Sequence, residues 1–195
     1  TKLGQMKRTA LSEYKLARYN KAAKTMNVKA DDDMIYAGVV VEGQEMVLFA
    51  NTSYAIRFPL SEIPPSGLRT GGVKAFALKE DEYIASVQAV DAQSDEDIVI
   101  VTNRGHVKRM ALTEIEVGLR AKRGVVTLKE LKANPHRIFA TVIVRTGHTI
   151  ELCTTKGIKE TISVMNLTRT DRYSNGSPKI DIATDGELVT VKRLS

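Results

Sequence analysis

The chain has 195 residues, of which 43% are hydrophobic and 27% are charged, a composition typical of globular domains rather than disordered or membrane-spanning chains. Its net charge of +6 makes an acidic partner worth considering, because lysine and arginine neutralise phosphates. The single cysteine, Cys153, excludes an internal disulfide and a multi-cysteine metal site. No apolar run has the length of a membrane span, and no signal peptide is recognisable. We therefore expect a cytoplasmic protein without a membrane partner, and we take the chain, which starts at Thr1, to be a fragment of a longer polypeptide.

A repeated motif organises the whole chain. Residues 102–115 read TNRGHVKRMALTEI, and three stretches align with them without gaps: TKLGQMKRTALSEY at 1–14, ANTSYAIRFPLSEI at 50–63 and TTKGIKETISVMNL at 154–167. The spacing is 52 residues from Arg57 to Arg109 and again from Gly105 to Gly157, and 49 residues from Arg8 to Arg57. Near-equal spacing predicts a repeat architecture. We place the units at about residues 1–41, 46–90, 98–144 and 150–194.

Each unit has the same internal order of strand and turn signals. An apolar run rich in β-formers comes first, at 46–50, 98–102 and 150–154. A tight turn follows, centred on Gly4, Gly105 and Gly157, with Ser53 at this place in the second unit. Then come a return strand, a polar loop that contains Arg69, Arg120 or Arg172, a run led by glycine such as 72–78, and a last strand such as 83–90 or 138–144. The pattern predicts four strands per unit.

One segment has a competing helical signal. Residues 13–24 contain good helix formers and could form a short amphipathic helix. The aligned stretch of the second unit contains Pro64 and Pro65, which a helix does not accept at its centre. We therefore predict loops here, with one helical turn at most in the first unit. Four-stranded repeats of this length predict a single all-β domain of about four radially arranged blades.

These units resemble the blades of the C-terminal domain of the A-type subunit of bacterial type IIA DNA topoisomerases. The resemblance rests on an apolar strand, Thr-x-x-Gly-x-x-Lys-Arg, Leu-x-Glu, Arg-x-x-x-Gly-Val and a last apolar strand, with the clearest copy at 98–144. It implies a β-pinwheel, a propeller-like disk in which neighbouring blades exchange strands and DNA bends around a basic rim. The fourth unit has Glu160-Thr161 where the third has Lys108-Arg109, so it departs from the family pattern at the basic pair.

The family has a gyrase branch and a topoisomerase IV branch, and a loop motif separates them. The resemblance implies that a gyrase would carry Gln-basic-basic-Gly-Gly-basic-Gly in one blade loop. Residues 69–74 (RTGGVK) and 121–125 (AKRGV) match it only in degenerate form. The sequence therefore favours the topoisomerase IV branch.

Basic residues are concentrated in two segments. Residues 1–30 contain eight basic residues and one acidic residue, and residues 103–124 contain six basic and two acidic residues. Because Lys7-Arg8, Arg57 and Lys108-Arg109 occupy one repeat position, radial symmetry predicts a common basic track on the rim, suited to sequence-independent phosphate contacts. The predicted DNA-binding residues are Lys2, Lys7, Arg8, Arg18, Lys21, Lys24, Arg57, Arg69, Arg104, Lys108, Arg109, Arg120, Lys122, Arg123, Lys156 and Lys159.

The expected function is to bind and bend duplex DNA without catalysis, and so to position DNA segments for strand passage in relaxation and decatenation. The resemblance implies that the remainder of the A-type subunit, together with an ATPase subunit, completes a heterotetramer, and that ATP and Mg²⁺ bind only in other domains of the enzyme. It implies a cytoplasmic, nucleoid-associated location. No catalytic tyrosine, metal-ligand spacing or phosphate-binding glycine loop is recognisable in the sequence. The alternative is a propeller-like protein interaction scaffold, and an enzyme with a pocket at the disk centre ranks third.

Overall fold

A computed structural model describes residues 1–15 and 22–194, and this part of the chain is mostly β. Its strands are β1 (Gln5–Met6), β2 (Gln44–Ala50), β3 (Tyr54–Pro59), β4 (Val73–Lys74), β5 (Ile84–Asp91), β6 (Asp97–Thr102), β7 (His106–Ala111), β8 (Val125–Val126), β9 (Ile138–Val144), β10 (Thr149–Thr154), β11 (Lys159–Ser163), β12 (Ser177–Pro178) and β13 (Leu188–Leu194). Short 3-10 helices span Leu11–Tyr14, Leu60–Glu62, Leu112–Glu114 and Val164–Asn166, and one helical turn, α1, spans Ile182–Asp185. None of these described helices is long and apolar enough to cross a membrane.

The strands form four antiparallel sheets, in the orders β1-β4, β5-β2-β3-β8, β12-β7-β6-β9 and β11-β10-β13. The short strand that begins after each loop glycine pairs with the return strand of the preceding unit: β4 with β1, β8 with β3, and β12 with β7. This exchange confirms the all-β, pinwheel-like fold that the repeat and the resemblance predict.

The prediction of four strands in every blade is wrong for two sheets within the described residues. The first sheet has two strands and the last has three. The fourth strand of each four-stranded sheet comes from the following unit, so each of these sheets combines strands of two consecutive units. Residues 34–41, which align with β5, form no strand in this part of the structure.

Apolar clusters lie between the sheets, so the central strands β2 and β6 are buried on both faces. In β2 the side chains alternate between two clusters. Val47 and Phe49 belong to the cluster between the second and third units, while Met46 and Leu48 belong to the cluster between the first and second units. The side chains of β6 alternate in the same way: Ile98 lies in the cluster that contains Val47, and Val99 lies in a third cluster, between the third and fourth units. Adjacent side chains of a strand point to opposite faces, which explains why these strands read as continuous apolar runs.

The sheets converge at one edge and separate at the other. Strand β5 packs beside β9, and β9 packs beside β13. The exchanged strands β8 and β12 lie at the opposite edge of their sheets. We call that outer edge, together with the loops that lead into the exchanged strands, the rim.

The tight turns adopt the backbone conformation that the sequence predicts. Gly4, Gly105 and Gly157 have φ values of 80°, 72° and 78°, and Ser53 adopts a φ of 99° at the equivalent place. Positive φ is the region where hairpin glycines are favoured. In the segment 13–24, which has the competing helical signal, the described residues contain only the end of the 3-10 turn Leu11–Tyr14, and residues 22–24 are not helical.

Candidate nucleic-acid interface

The arginine of the repeated basic pair joins each unit to the next. The Arg57 guanidinium contacts the Glu45 carboxylate at 2.6 Å and donates to the Leu112 carbonyl, in the next unit, at 3.3 Å. One unit further on, Arg109 contacts Asp97 at 2.5 Å and donates to the Val164 carbonyl at 3.0 Å. In both cases the arginine is held by an acid of its own sheet and clamps the 3-10 turn of the following unit.

Arg8 makes the same junction between the first and second units. Its guanidinium donates to the Ile63 carbonyl at 2.5 Å and contacts Glu42 at 3.2 Å. Its backbone forms a parallel bridge with Pro65, as Arg57 does with Val117. The arginine position therefore has a repeated structural role.

The lysine of the pair is buried at the junction between the third and fourth units. Lys108 is 2% exposed, and its ammonium donates to the carbonyls of Thr127 at 2.7 Å, Asp171 at 3.1 Å, Arg172 at 2.7 Å and Ser174 at 3.1 Å. Burial lowers the pKa of Lys108 to about 8, and the charge of Asp171 opposes that shift. The amine is therefore mostly protonated at neutral pH and satisfies carbonyls that would otherwise lack donors.

Lys7 is the equivalent lysine at the first junction. Its ammonium donates to the Gly67 carbonyl at 2.9 Å and also to the Thr25 carbonyl. Desolvation lowers its pKa. These two carbonyls align with those of Asp171 and Thr127, so both lysines hold the loop that leads into an exchanged strand.

The expectation that the repeated basic pair forms an exposed track is wrong for Arg57 and Lys108. Arg57 is 5% exposed and Lys108 is 2% exposed, because both side chains turn inward to satisfy acceptors of the neighbouring unit. A guanidinium or ammonium buried to this extent offers no surface to a phosphate. Arg8 and Arg109 are also largely engaged with protein partners, with side chains 19% and 13% exposed.

The loops at the rim form a continuous row. We define the rim loops as residues 67–74, 119–126 and 171–178, which occupy one repeat position. Arg120 donates from the second of these loops to the Lys74 carbonyl of the first, at 2.8 Å. Lys108 joins the second loop region to the third, because its ammonium contacts both the Thr127 and the Arg172 carbonyl.

Several predicted residues display their charge on this row. Arg69 and Lys122 are exposed, and neither side chain has a hydrogen-bond or ion-pair partner among the described residues. Lys74, which is not among the predicted DNA-binding residues, is also exposed, on the exchanged strand β4. Residues 67–74 and 119–126 contain only basic charged residues, while 171–178 contain Asp171 and Arg172. The positive charge is therefore concentrated on the first two rim loops.

Arg120 and Arg123 lie on the row but are partly engaged. Arg120 donates to the Glu62 carbonyl at 2.9 Å. Arg123 contacts Glu82 and lies 3.7 Å from the centroid of the Tyr54 ring. The hydrogen bond from Arg123 is the largest cause of the lowered pKa of Glu82, which is about 2. This cluster fixes the second rim loop to the preceding blade.

The remaining predicted residues lie away from the rim loops or outside the described structure. Lys2 is exposed near the Tyr83 ring, at 5.2 Å from its centroid, while Arg104 donates to the Asn134 carbonyl at 2.8 Å and Lys156 to the Thr184 carbonyl at 2.8 Å. Lys24 and Lys159 are exposed. Arg18 and Lys21 lie outside the described residues.

Two histidines meet beside Arg104. The His106 and His136 rings pack edge to face with centroids 4.4 Å apart. His136 is 4% exposed, and its Nδ1 lies 3.1 Å from the Thr102 hydroxyl. Burial, followed by the charges of His106 and Arg104, lowers the pKa of His136 to about 4. Among the described residues, no group of three or more His, Cys, Asp or Glu side chains is arranged to hold a metal ion.

A signal for the structural role of the arginines is present in the sequence. Glu45 precedes Arg57 by 12 residues, and Asp97 precedes Arg109 by 12 residues. Glu45 pairs with Pro59 and Val47 with Arg57, so the acid and the arginine are diagonal neighbours on one face of the hairpin, within reach of long side chains. A repeated acid at that offset therefore indicates an internal ion pair rather than a free cation.

Comparison with known proteins agrees with the fold. A family model described as "DNA gyrase C-terminal domain, beta-propeller" matches residues 1–40, 44–91 and 96–145. The chain is 39% identical to the A-type subunit of DNA topoisomerase 4 from Bacillus subtilis over 194 residues, and 32% identical to its counterpart from Staphylococcus epidermidis over 188 residues. These alignments cover 100% and 96% of the chain but only 24% and 23% of the relatives, so the chain spans about a quarter of their length.

Two solved structures show the same architecture. A crystal structure of the C-terminal domain of DNA topoisomerase IV superimposes with a TM-score of 0.94 and 43% identity, covering 99% of this chain and 59% of that one. A structure of the DNA gyrase A C-terminal domain has a TM-score of 0.86 at 16% identity, covering 100% of this chain and 64% of that one. Of these two, the topoisomerase IV domain shares far more of its sequence, as the degenerate loop motif predicts. The chain belongs to the DNA gyrase C-terminal domain family of β-propeller domains.

Proposed function

We propose that this chain binds duplex DNA along its rim and bends it, as a non-catalytic domain of the A-type subunit of a type IIA topoisomerase of the topoisomerase IV kind. The observation that carries the proposal is the continuous row of rim loops, whose first two members display Arg69, Lys74 and Lys122. Cations without internal partners can exchange their water for phosphate oxygens and release counterions. A curved row of such cations favours a bent duplex over a straight one.

The bend has to be stabilised by these contacts. Smooth bending of a short duplex by 40–90° costs about 1–6 kcal/mol, which several phosphate contacts must offset. Contacts to phosphate distinguish no base pair, so we expect preferences for deformable DNA rather than for a base sequence. Bending of this kind would present one DNA segment to the cleavage centre in relaxation and decatenation.

The same proposal includes the other parts of the enzyme. The remainder of the A-type subunit would form the heterotetramer together with an ATPase subunit, and ATP and Mg²⁺ would bind in those other parts. The domain would act in the cytoplasm on the nucleoid. The similarity to the A-type subunit of DNA topoisomerase 4 supports this assignment.

The test is a salt titration of affinity for linear duplex DNA, with fluorescence transfer between the DNA ends as a measure of bending. We expect Lys122→Ala to weaken binding equally on unrelated sequences and to reduce the log-log salt slope by about 0.9, the value for one neutralised phosphate. Lys192→Ala is the control for loss of one positive charge away from the rim, because Lys192 is exposed on β13 at the converging edge, where its ammonium contacts the Glu151 carboxylate at 3.0 Å. Failure of the wild-type chain to bind at low salt would reject the proposal and favour a protein interaction scaffold. An equal effect of both substitutions would place the interface elsewhere.

A further inference from the structure

The same four carbonyl positions recur at each junction between units, and the chain satisfies them in different ways. At the junction of the third and fourth units, the carbonyls of Thr127, Asp171, Arg172 and Ser174 surround the Lys108 ammonium. We call this group the carbonyl cage. It is made of backbone oxygens from two separate segments, so whatever fills it ties those segments together.

The preceding junction shows the alternative solution. There Ile56 occupies the place of Lys108 and is buried. Two of the equivalent carbonyls instead accept backbone amides: the Ala75 carbonyl from Ala121 at 2.7 Å, and the Lys122 carbonyl from Ala77 at 3.0 Å. At this junction without an ammonium, backbone amides therefore take the place of the lysine at two of the carbonyls.

The first junction combines the two solutions. Lys7 donates to the Thr25 and Gly67 carbonyls, while the amide of Asn27 donates to the Thr70 carbonyl at 2.9 Å. Thr70 aligns with Ser174, whose carbonyl Lys108 contacts at 3.1 Å. The more of these equivalent carbonyls the ammonium takes, the fewer of them accept a backbone amide.

A ring of backbone carbonyls is also how proteins replace the hydration shell of a small monovalent cation. We propose that the carbonyl cage is a monovalent-cation site filled internally by the Lys108 ammonium, and that Lys108 is a positioning residue that holds the third rim loop in line with the other two. The positioning role of Lys108 rests on the DNA-binding rim proposed above. In this arrangement Lys108 contacts no phosphate, and its influence on DNA passes through the path of residues 171–178.

The test is chemical rescue of Lys108→Ala with n-propylammonium, which supplies the atoms from Cγ to Nζ that the substitution removes. Tetramethylammonium at the same ionic strength is the control cation, since it has the same charge and no N–H donor. The first readout is amide hydrogen exchange over residues 170–179, where Thr170 and Lys179 donate to the carbonyls of Arg109 and Gly105. Residues 118–124, at the junction that has Ile56, are the internal control.

We expect Lys108→Ala to speed exchange in residues 170–179 by about tenfold or more, because one buried and three partly buried carbonyls lose their donor. Exchange in residues 118–124 should stay as in the wild type, and n-propylammonium alone should restore the slow rate. Unchanged exchange in Lys108→Ala, or equal rescue by tetramethylammonium, would overturn the proposal that the carbonyl cage is a cation site. If Lys108→Ala does not fold, Lys7→Ala removes a smaller set of contacts, and residues 66–70 then provide the same readout.

The second readout is the end-to-end fluorescence transfer of bound duplex DNA. Lys108→Ala should bend DNA less than the wild type, and n-propylammonium should restore the bend, whereas it should not change the behaviour of Lys122→Ala. A wild-type bend in Lys108→Ala, together with fast exchange, would overturn the positioning role and leave the cage intact. Absence of DNA binding by the wild type would reject the proposed function, while the exchange measurement would still test whether the carbonyl cage is a cation site.

Discussion

At the scale of single residues, cations of the described part of the chain differ in what surrounds them. Arg57 and Arg109 each have a carboxylate on the adjacent strand and a carbonyl of the next unit. Lys122 and Arg69 are exposed on the rim. Identical charges therefore have different roles, and only the second group is available to a phosphate.

The buried pair of Arg57 and Glu45 makes a direct prediction about stability. Arg57→Met should lower the free energy of unfolding by about 3 kcal/mol, because it leaves the carboxylate of Glu45 buried without a partner. The double variant Arg57→Met, Glu45→Leu should recover most of that loss, since neither charge then remains inside. Urea unfolding followed by circular dichroism measures both. A double variant no more stable than the single one would show that the clamp on Leu112, rather than the carboxylate, dominates.

At the scale of secondary-structure elements, the exchanged strands hold the sheets together. Each exchanged strand follows a glycine with positive φ: Gly72 at 78°, Gly124 at 76° and Gly176 at 70°. A Cβ at Gly124 would lie 1.9 Å from the Ala55 carbonyl oxygen, which belongs to the preceding blade. The close approach of two backbones therefore requires glycine at this place.

Gly124→Ala should disrupt the pairing of β8 with β3 and lower the free energy of unfolding by about 3 kcal/mol or more, through both the clash and the strained φ. Gly118→Ala is the matched control, because nothing lies within 4 Å of its added Cβ and alanine restricts the unfolded chain. Thermal unfolding compares the two. The prediction fails if the two alanine variants melt at similar temperatures.

At the scale of the whole molecule, the apolar clusters lie between sheets rather than within one unit. Val47 of the second unit and Ile98 of the third share one cluster, and Val99 shares another with Ile150 of the fourth. A unit therefore cannot bury its own apolar faces, and stability depends on the stack. Changes at one junction should therefore act first on the two units that meet there.

Acid should destabilise the domain through His136. Its pKa falls from an ordinary 6.5 to about 4 in the folded chain, mainly by burial. Between these two values the unfolded chain binds the proton and the folded chain does not, so stability is full above about pH 6.5 and is lost progressively toward pH 4, by up to about 3 kcal/mol.

Unfolding free energies at pH 7.5 and pH 5 measure this effect. His136→Gln should show a smaller loss between the two pH values than the wild type, because the titrating group is gone while a side-chain amide remains near Thr102. An identical loss in both proteins would assign the acid sensitivity to other groups. The comparison relies on the difference in pH dependence, so a constant change in stability from the substitution does not affect it.

The sequence by itself determined the repeat, its turns and the all-β fold. Spacing of 52 residues, glycine at Gly105 and Gly157, and apolar runs such as 98–102 are local properties, and local backbone preferences and burial on both faces follow from them. The resemblance to the type IIA topoisomerase family rested on the same motif. The family match confirmed it.

Only the tertiary structure decided which cations face solvent. Lys108 and Lys122 have the same charge and lie 14 residues apart, but the first turns into a cage of carbonyls from residues 127, 171, 172 and 174, while the second stays exposed. Those carbonyls belong to segments distant in sequence, and the strand exchange that brings them together depends on backbone approaches such as that of Gly124 to Ala55. Burial of a charge is set by what surrounds it in space, and a repeat position specifies that environment only after the units have stacked.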